Sequence, residues 1–324
     1  MYSFQELTEI VAQAISQYSL PKEPGNLYEP ISYILGIGGK RLRPTLALAA
    51  CNVFSDNIEN AIKPALAVEV FHNFTLVHDD IMDNADIRRG QVTIHKKWND
   101  NTAILSGDAM TILAYRLLTQ TPAIYLTPVL NIFNNVALGV CEGQQYDMDF
   151  ESKLTVSSED YMRMIELKTA VLLKGALQIG AVMGDASNKD IELVGKFGTN
   201  MGLAFQLQDD LLDIYGDEAI FGKSIGGDII ACKKTMLVIE MVKHLSEEEL
   251  NEFWSVFNDK KIDRDRKISV IKNYYDKVDV KSIIEQKVNY HFSLAQKALE
   301  DLSPENGRKK VLNTILQKLV GRDS

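Results

Sequence analysis

SNKDIELVGKFGTNMGLAFQLQDDLLDIYG, residues 187–216, carries apolar side chains at helical spacing from end to end. It reads as one long helix stopped at Gly216. Interior glycines at 195, 198 and 202 weaken helix propensity, but their three- and four-residue spacing permits close helix–helix approach. Outward from it the same period recurs in LYEPISYILGIG (27–38), RPTLALAACNVF (43–54), AIKPALAVEVFHNFTLVHDDIMD (61–83) and SEDYMRMIELKTAVLLKGALQIGAVMG (158–184). The last has Ser157 or Ser158 as N-cap, acids in its first turn and Gly184 near its end. Proline is absent between Pro128 and Pro304, and β-branched alternation is scarce. The most loop-like segments are PKEPGN (21–26), DIRRGQ (86–91) and GDEAIFGKSIGGD (216–228), and NDKKIDRDRK (258–267) reads as a solvated turn or helix face. The expectation is an all-α fold in a single domain spanning 1–324.

Bulk properties narrow the function. A net charge of −9 argues against nucleic acid as the main partner, because a phosphate backbone needs a basic face. Cys51, Cys141 and Cys232 are widely separated, which is neither a disulfide framework nor a zinc pattern and suits a reducing cytoplasm. The acidic amphipathic start MYSFQELTEIVAQAISQYS lacks the basic-then-apolar order of a signal peptide. No uncharged apolar run is expected to reach transmembrane length.

The chemistry lies in two acidic segments. Within LVHDDIMDNADIRRG (76–90), Asp79 and Asp83 stand four apart, so on a helix they project about 40° from one another, with Asp80 about 100° round. Asp209, Asp210 and Asp213 repeat the arrangement inside FQLQDDLLD (205–213). Carboxylates inside apolar sequence are costly unless paired or metal-bound. Two such helices facing each other would aim four carboxylates into one cavity, which suits Mg²⁺ held by one or two carboxylates, waters and substrate phosphates.

The basic residues come from elsewhere. GIGGKRLRP (36–44) offers Gly38 and Gly39, then Lys40 and Arg43 one helical turn apart. Glycines let backbone N–H groups approach an anion while Lys and Arg supply charge. It is not a P-loop, since no glycine stands five residues before Gly39; GKS at 222–224 fails likewise. Taken alone, Lys40 and Arg43 read equally well as surface charges. His72, two turns before Asp79, reads alone as a satisfied core histidine. Lys168 reads alone as a snorkelling lysine, followed by Thr169, and Gln206 stands three before Asp209.

Together, GGKRLRP, FHNFTLVHDDIMDNADIRRG, SGDAM, GQQYDMDFE, ELKTAVL, FQLQDDLLDIYG and GKSIGGDI..CKKT, in this order from Gly38 to Thr235, resemble the trans-isoprenyl diphosphate synthases, the short-chain polyprenyl synthetase family. The resemblance implies the isoprenoid-synthase helical fold around a central cavity, usually as a homodimer. It also implies head-to-tail condensation of isopentenyl diphosphate with an allylic diphosphate, dependent on two or three Mg²⁺. Carried onto this chain, the homoallylic diphosphate site falls on Lys40, Arg43, His72 and Arg89. The metal ligands fall on Asp79, Asp83 and Asp209, supported by Asp80, Asp210 and Asp213. The allylic diphosphate contacts fall on Arg88, Lys168, Thr169, Gln206, Lys223 and Lys233. Asp86 and Ser224 stand where the family often has proline, and Ala231-Cys232 replaces a usual Glu-Gly pair before Lys233. These departures place the closing geometry near Lys233 in question, not the chemistry.

Three rivals weaken against these residues. A cyclase of the same fold usually changes the second acidic motif, and this chain has DDLLD. A silent regulatory subunit tends to lose one motif, and both are present. A structural metal-binding protein leaves the basic residues unexplained. For product length, helical geometry picks Thr75, about 40° from Asp79, over Phe74, about 140° away. Phe71 and Phe74 also suit an ordinary core. The resemblance favours the aromatic five before Asp79, and with it a geranylgeranyl (C20) product, with farnesyl (C15) as the alternative.

Overall fold

The computed structural model describes residues 1–216 and 225–320, with side chains through Leu319. Almost every regular element is helical, as expected. The exception is DIRRGQ, which forms a short antiparallel hairpin, β1 (Ile87–Arg88) against β2 (Gln91–Val92), rather than an irregular loop.

The chain packs as two compact units. Residues 1–136, 172–195 and 302–312 form the first. It contains α1 (Phe4–Gln17), α2 (Gly25–Gly36), α3 (Leu42–Phe54), α4 (Ile62–Met82), the hairpin, α5 (Ile94–Lys97) and α6 (Asp100–Leu118). It also takes the start of α7 (Ala123–Ser152), nearly all of α9 (Val171–Met183) and the start of α10 (Asn188–Tyr215). Helix α4 is buried on every side from Pro64 to Asn73, packing on α3 and α6. That is why its sequence is apolar all round rather than striped. Its final turn emerges half-buried with Asp79 on it, and Asp83 caps the helix, donating its N–H to the Asp79 carbonyl at 2.8 Å.

Residues 137–171, 196–301 and 313–324 form the second unit. Here α8 (Ser158–Ile165) is N-capped by Ser157, whose hydroxyl accepts from Asp160 N–H at 3.0 Å. The single helix read through 158–184 is interrupted by a π-helical turn, Glu166–Ala170, before α9. Helix α10 ends at Tyr215, next to the expected stop. Then follow α11 (Gly227–Ile230), α12 (Met236–Val242), α13 (Glu247–Phe257), α14 (Arg264–Lys277), α15 (Val280–Glu300) and α16 (Asn306–Val320). The core of this unit joins Tyr161, Leu207, Leu211, Met236, Phe253, Phe257, Tyr275 and Ile284.

One sequence expectation needs correction. Among the described residues α7 is long and apolar enough to cross a membrane by length and composition alone, and 28% of its most apolar window is buried. Its uncharged run contains Asn131, Asn134 and Asn135, which interrupt the apolar character.

Candidate active site

In the first unit the GGKRLRP segment turns sharply before α3. Gly38 and Gly39 have φ of +89° and +127°, and Arg41 is left-handed at +45°. Lys40 therefore precedes the helix rather than sitting one helical turn below Arg43, a correction to the sequence reading. A Cβ on Gly39 would stand 2.6 Å from Arg89 Nη1, so glycine is needed for the close approach of this arginine, which also donates to the Gly38 carbonyl. Arg43 Nη1 meets His72 Nε2 at 2.9 Å. Guanidinium can only donate, so Nε2 accepts and the imidazole proton is assigned to Nδ1. Burial, reinforced by the charges of Arg43, Arg89, Arg88 and Arg41, holds His72 well below its ordinary range. Arg43 Nε is buried with no hydrogen-bond partner, and Arg43 forms no carboxylate ion pair among the described residues. An orphaned N–H on a permanent cation marks a place where an anion fits. Lys40 is exposed beside this group.

Asp80 is buried and accepts from Arg88 Nε at 2.7 Å. Burial raises its pKa, with the Arg88 charge pulling the other way. Asp79 is half-buried and Asp83 exposed, so the two residues that share a face are the two that reach toward solvent. Farther up α4, Phe71 is buried between Phe74 and Phe133, with ring centroids at 5.3 and 5.2 Å, and Phe74 packs edge-on to His78 at 4.7 Å. Thr75 turns its hydroxyl back to the His72 carbonyl at 2.8 Å. The phenylalanines and Thr75 thus serve different neighbours.

The second unit carries a cleft lined by Asp147, Tyr161, Lys168, Thr169, Gln206, Asp210, Asp228, Cys232 and Lys233, among others. Lys168 lies in the π-helical turn, a device that re-aims side chains and is frequent at functional sites. Its Nζ is 2.5 Å from Asp147 Oδ2. Helix α7 comes this close because residue 143 is glycine: a Cβ there would stand 2.3 Å from the Lys168 backbone nitrogen. Thr169 Oγ1 donates to Gln206 Oε1 at 3.0 Å, and Gln206 Nε2 to Asp210 Oδ1 at 3.1 Å. Burial pushes Asp210 up to about 8; hydrogen bonds from Tyr161 and Gln206 oppose this, while Asp228 and Asp209 add to it. Asp213 Oδ2 accepts from Asp228 N–H at 3.1 Å, tying the end of α10 to the start of α11. Asp209 is half-buried and Lys233 exposed. Lys223 lies outside the described residues.

Three residues escaped the sequence reading. Arg41 donates to Glu69 Oε1 at 2.6 Å and to the Leu35 carbonyl at 2.5 Å, a buried ion pair that Asn73 joins at 3.0 Å. A glutamate inside ALAVEVF was its signal, because such a group demands a cation. Asp147, the partner of Lys168, stood inside the quoted GQQYDMDFE. Tyr161 carried no signal, as an aromatic at helical spacing is ordinary core.

The acidic residues fit a hard divalent cation by the chemistry of their donors, which are carboxylate oxygens. Among the described residues no three His, Cys, Asp or Glu side chains form a metal-holding cluster. Mg²⁺ does not require such a cage, since it usually keeps several waters and takes phosphate oxygens from its substrate.

Cations grouped around a neutral histidine, with two carboxylate motifs on helices, define an enzyme that handles diphosphates, a helical prenyltransferase. A polyprenyl synthetase family model matches residues 24–275. The chain is 34% identical over 328 residues to the geranylgeranyl diphosphate synthase of Sulfolobus acidocaldarius, covering 98% of this chain and 96% of that one. A solved geranylgeranyl pyrophosphate synthase superposes with a TM-score of 0.95 at 40% identity over 100% of both chains. The structure of geranylgeranyl pyrophosphate synthetase from Pyrococcus horikoshii gives 0.91 at 31%, over 99% and 98%. The chain belongs to the polyprenyl synthetase family. It is a trans-prenyltransferase of the all-α isoprenoid-synthase fold, and dependence on a divalent metal is general in that family.

Proposed function

We propose that this chain condenses isopentenyl diphosphate head-to-tail with an allylic diphosphate, releasing a linear all-trans product of C20 length. The observation that carries the reading is Arg43, a half-buried arginine whose buried Nε has no hydrogen-bond partner, beside His72 and Arg89. Lys40, Arg43, His72 and Arg89 bind the diphosphate of isopentenyl diphosphate and orient its alkene. Arg88, Lys168, Thr169, Gln206, Lys223 and Lys233 hold the allylic diphosphate. Asp79, Asp83 and Asp209 would hold two or three Mg²⁺, with Asp80, Asp210 and Asp213 supporting. When bound, these ions neutralise charge developing on the leaving diphosphate. The lysines and arginines add to that stabilisation. The alkene then attacks the allylic cation, and the departed diphosphate is placed to take the final proton.

A single catalytic domain spanning residues 1–324 is proposed. A cytoplasmic homodimer is proposed as the working form. Helix α6 exposes Ile104, Leu105 and Ile112 at 43, 59 and 61%, and α7 exposes Ile124 at 77% and Leu138 at 62%. Large apolar side chains repeated on one helix suit burial against a second copy. Relatives named geranylgeranyl diphosphate synthase support C20 over C15.

The test incubates purified protein with Mg²⁺, isopentenyl diphosphate and C5, C10 or C15 allylic diphosphates, then resolves the products by chromatography. A linear C20 diphosphate is expected. A C15 end product would replace the length assignment; a cyclic hydrocarbon, or no turnover, would overturn the reaction itself.

A further inference from the structure

Tyr161 lies in the middle of α8, 4% exposed, and its hydroxyl donates to Asp210 Oδ2 at 2.5 Å. The other oxygen of that carboxylate accepts from Gln206 Nε2 at 3.1 Å, and Gln206 Oε1 accepts from Thr169 Oγ1 at 3.0 Å. Four side chains from α8, α10 and the π-helical turn therefore form one chain of hydrogen bonds. The phenol hydroxyl donates to one Asp210 oxygen and the Gln206 amide nitrogen donates to the other. With Asp210 Oδ1 facing it, the Gln206 amide turns its NH₂ to the acid, which leaves its oxygen for Thr169. Both carboxylate oxygens of Asp210 are thus engaged within the protein. Asp209, about 100° round the same helix, has a different outlook.

We infer that Tyr161 is a positioning residue for the allylic-diphosphate side of the cleft: by anchoring Asp210 it sets the orientation of Gln206 and Thr169 beside Lys168. The inference rests on the proposed site map. Tyr161 acts through Asp210. Removing its hydroxyl leaves a buried carboxylate oxygen unpaired and lets the Asp210 side chain turn, so Gln206 loses the contact that fixes its amide.

Tyr161→Phe keeps the ring and its packing and deletes only the hydroxyl. Steady-state kinetics with each substrate varied in turn should show kcat down and KM for the allylic diphosphate up, a combined loss of about tenfold in kcat/KM for one buried hydrogen bond. KM for isopentenyl diphosphate should be unchanged. Binding of a non-reactive allylic thiolodiphosphate in Mg²⁺, followed by calorimetry, should weaken to match. Gln206→Ala should be damaging alone, and Tyr161→Phe should add little to it, because Tyr161 acts through Gln206. Wild-type kinetics in Tyr161→Phe would overturn the inference, as would equal rises in both KM values or additive losses in the double variant. Asp210→Asn gives a second reading: if it mimics Tyr161→Phe in the same KM split, the inference stands. An inactive wild type overturns the functional reading and this inference with it. An active wild type with an unperturbed Tyr161→Phe overturns this inference alone.

Discussion

Gly143→Ala places a single methyl group where α7 crosses the π-helical turn. Its Cβ would meet the Lys168 nitrogen at 2.3 Å, with the Leu167 carbonyl carbon and Lys168 Cα both at 2.7 Å. All three are backbone atoms, so no side chain can swing aside. Reaching 3.4 Å, where such contacts become ordinary, requires α7 and the turn to part by about 1.1 Å. Overpacking of that kind costs about 1–3 kcal/mol. The larger effect falls on Lys168, held at 2.5 Å from Asp147 on the very helix that must move. A displacement near 1 Å in a substrate-positioning group can cost about 10²-fold in rate, which is the expected loss of kcat/KM for the allylic substrate. Isopentenyl diphosphate KM should be little affected. Gly139→Ala, one turn earlier, is the control: its Cβ would meet only Leu167 and Val171 side-chain carbons at 3.4–3.6 Å, so it should behave as wild type. Circular dichroism melting and steady-state kinetics on both variants check the prediction. Wild-type turnover in Gly143→Ala, or equal damage from Gly139→Ala, would refute the reasoning.

Three further outcomes are expected. Asp79→Ala and Asp209→Ala should each lower kcat by about 10²-fold or more at saturating Mg²⁺, since each removes charge stabilisation worth several kcal/mol. Asp213→Ala should be milder, because its carboxylate is engaged with the Asp228 N–H; wild-type-like turnover in Asp79→Ala would sink the metal assignment. Folded His72 sits well below its ordinary range, so below about pH 6.5 the unfolded chain takes up a proton the folded one refuses, and stability falls with pH. Between pH 6.5 and 5.5 that loss is about 1 kcal/mol, and chemical denaturation should show it shrinking in His72→Gln. Phe74→Ala should lengthen the product at near-normal turnover, whereas Phe71→Ala, buried between two rings, should also lose about 3–5 kcal/mol of stability. Unchanged product chromatograms in both would place the floor elsewhere.

Helix class and the acidic motifs were legible because they depend on local period: Asp79, Asp83, Asp209 and Asp213 stand at intervals any helix must honour, and α10 stops at Tyr215, beside the Gly216 signal. The basic residues were legible only as a pattern shared with a family. Nothing local separates Lys40 and Arg43, candidates for a ligand, from Arg41, whose partner Glu69 stands 28 residues away. A left-handed backbone at Arg41 points these neighbours in different directions, and that turn is held by Arg89 from the hairpin against Gly39. The π-helical turn under Lys168 was likewise invisible, since its sequence ELKTA continues the helical period. Whether a carboxylate reaches solvent or is consumed inside depends on what packs beside it. Tyr161 engages Asp210 and Arg88 engages Asp80, while Asp79 and Asp209 stay half-buried. Period is a property of the chain alone, whereas the pairing of groups far apart in sequence is decided only when packing brings them within a few ångströms.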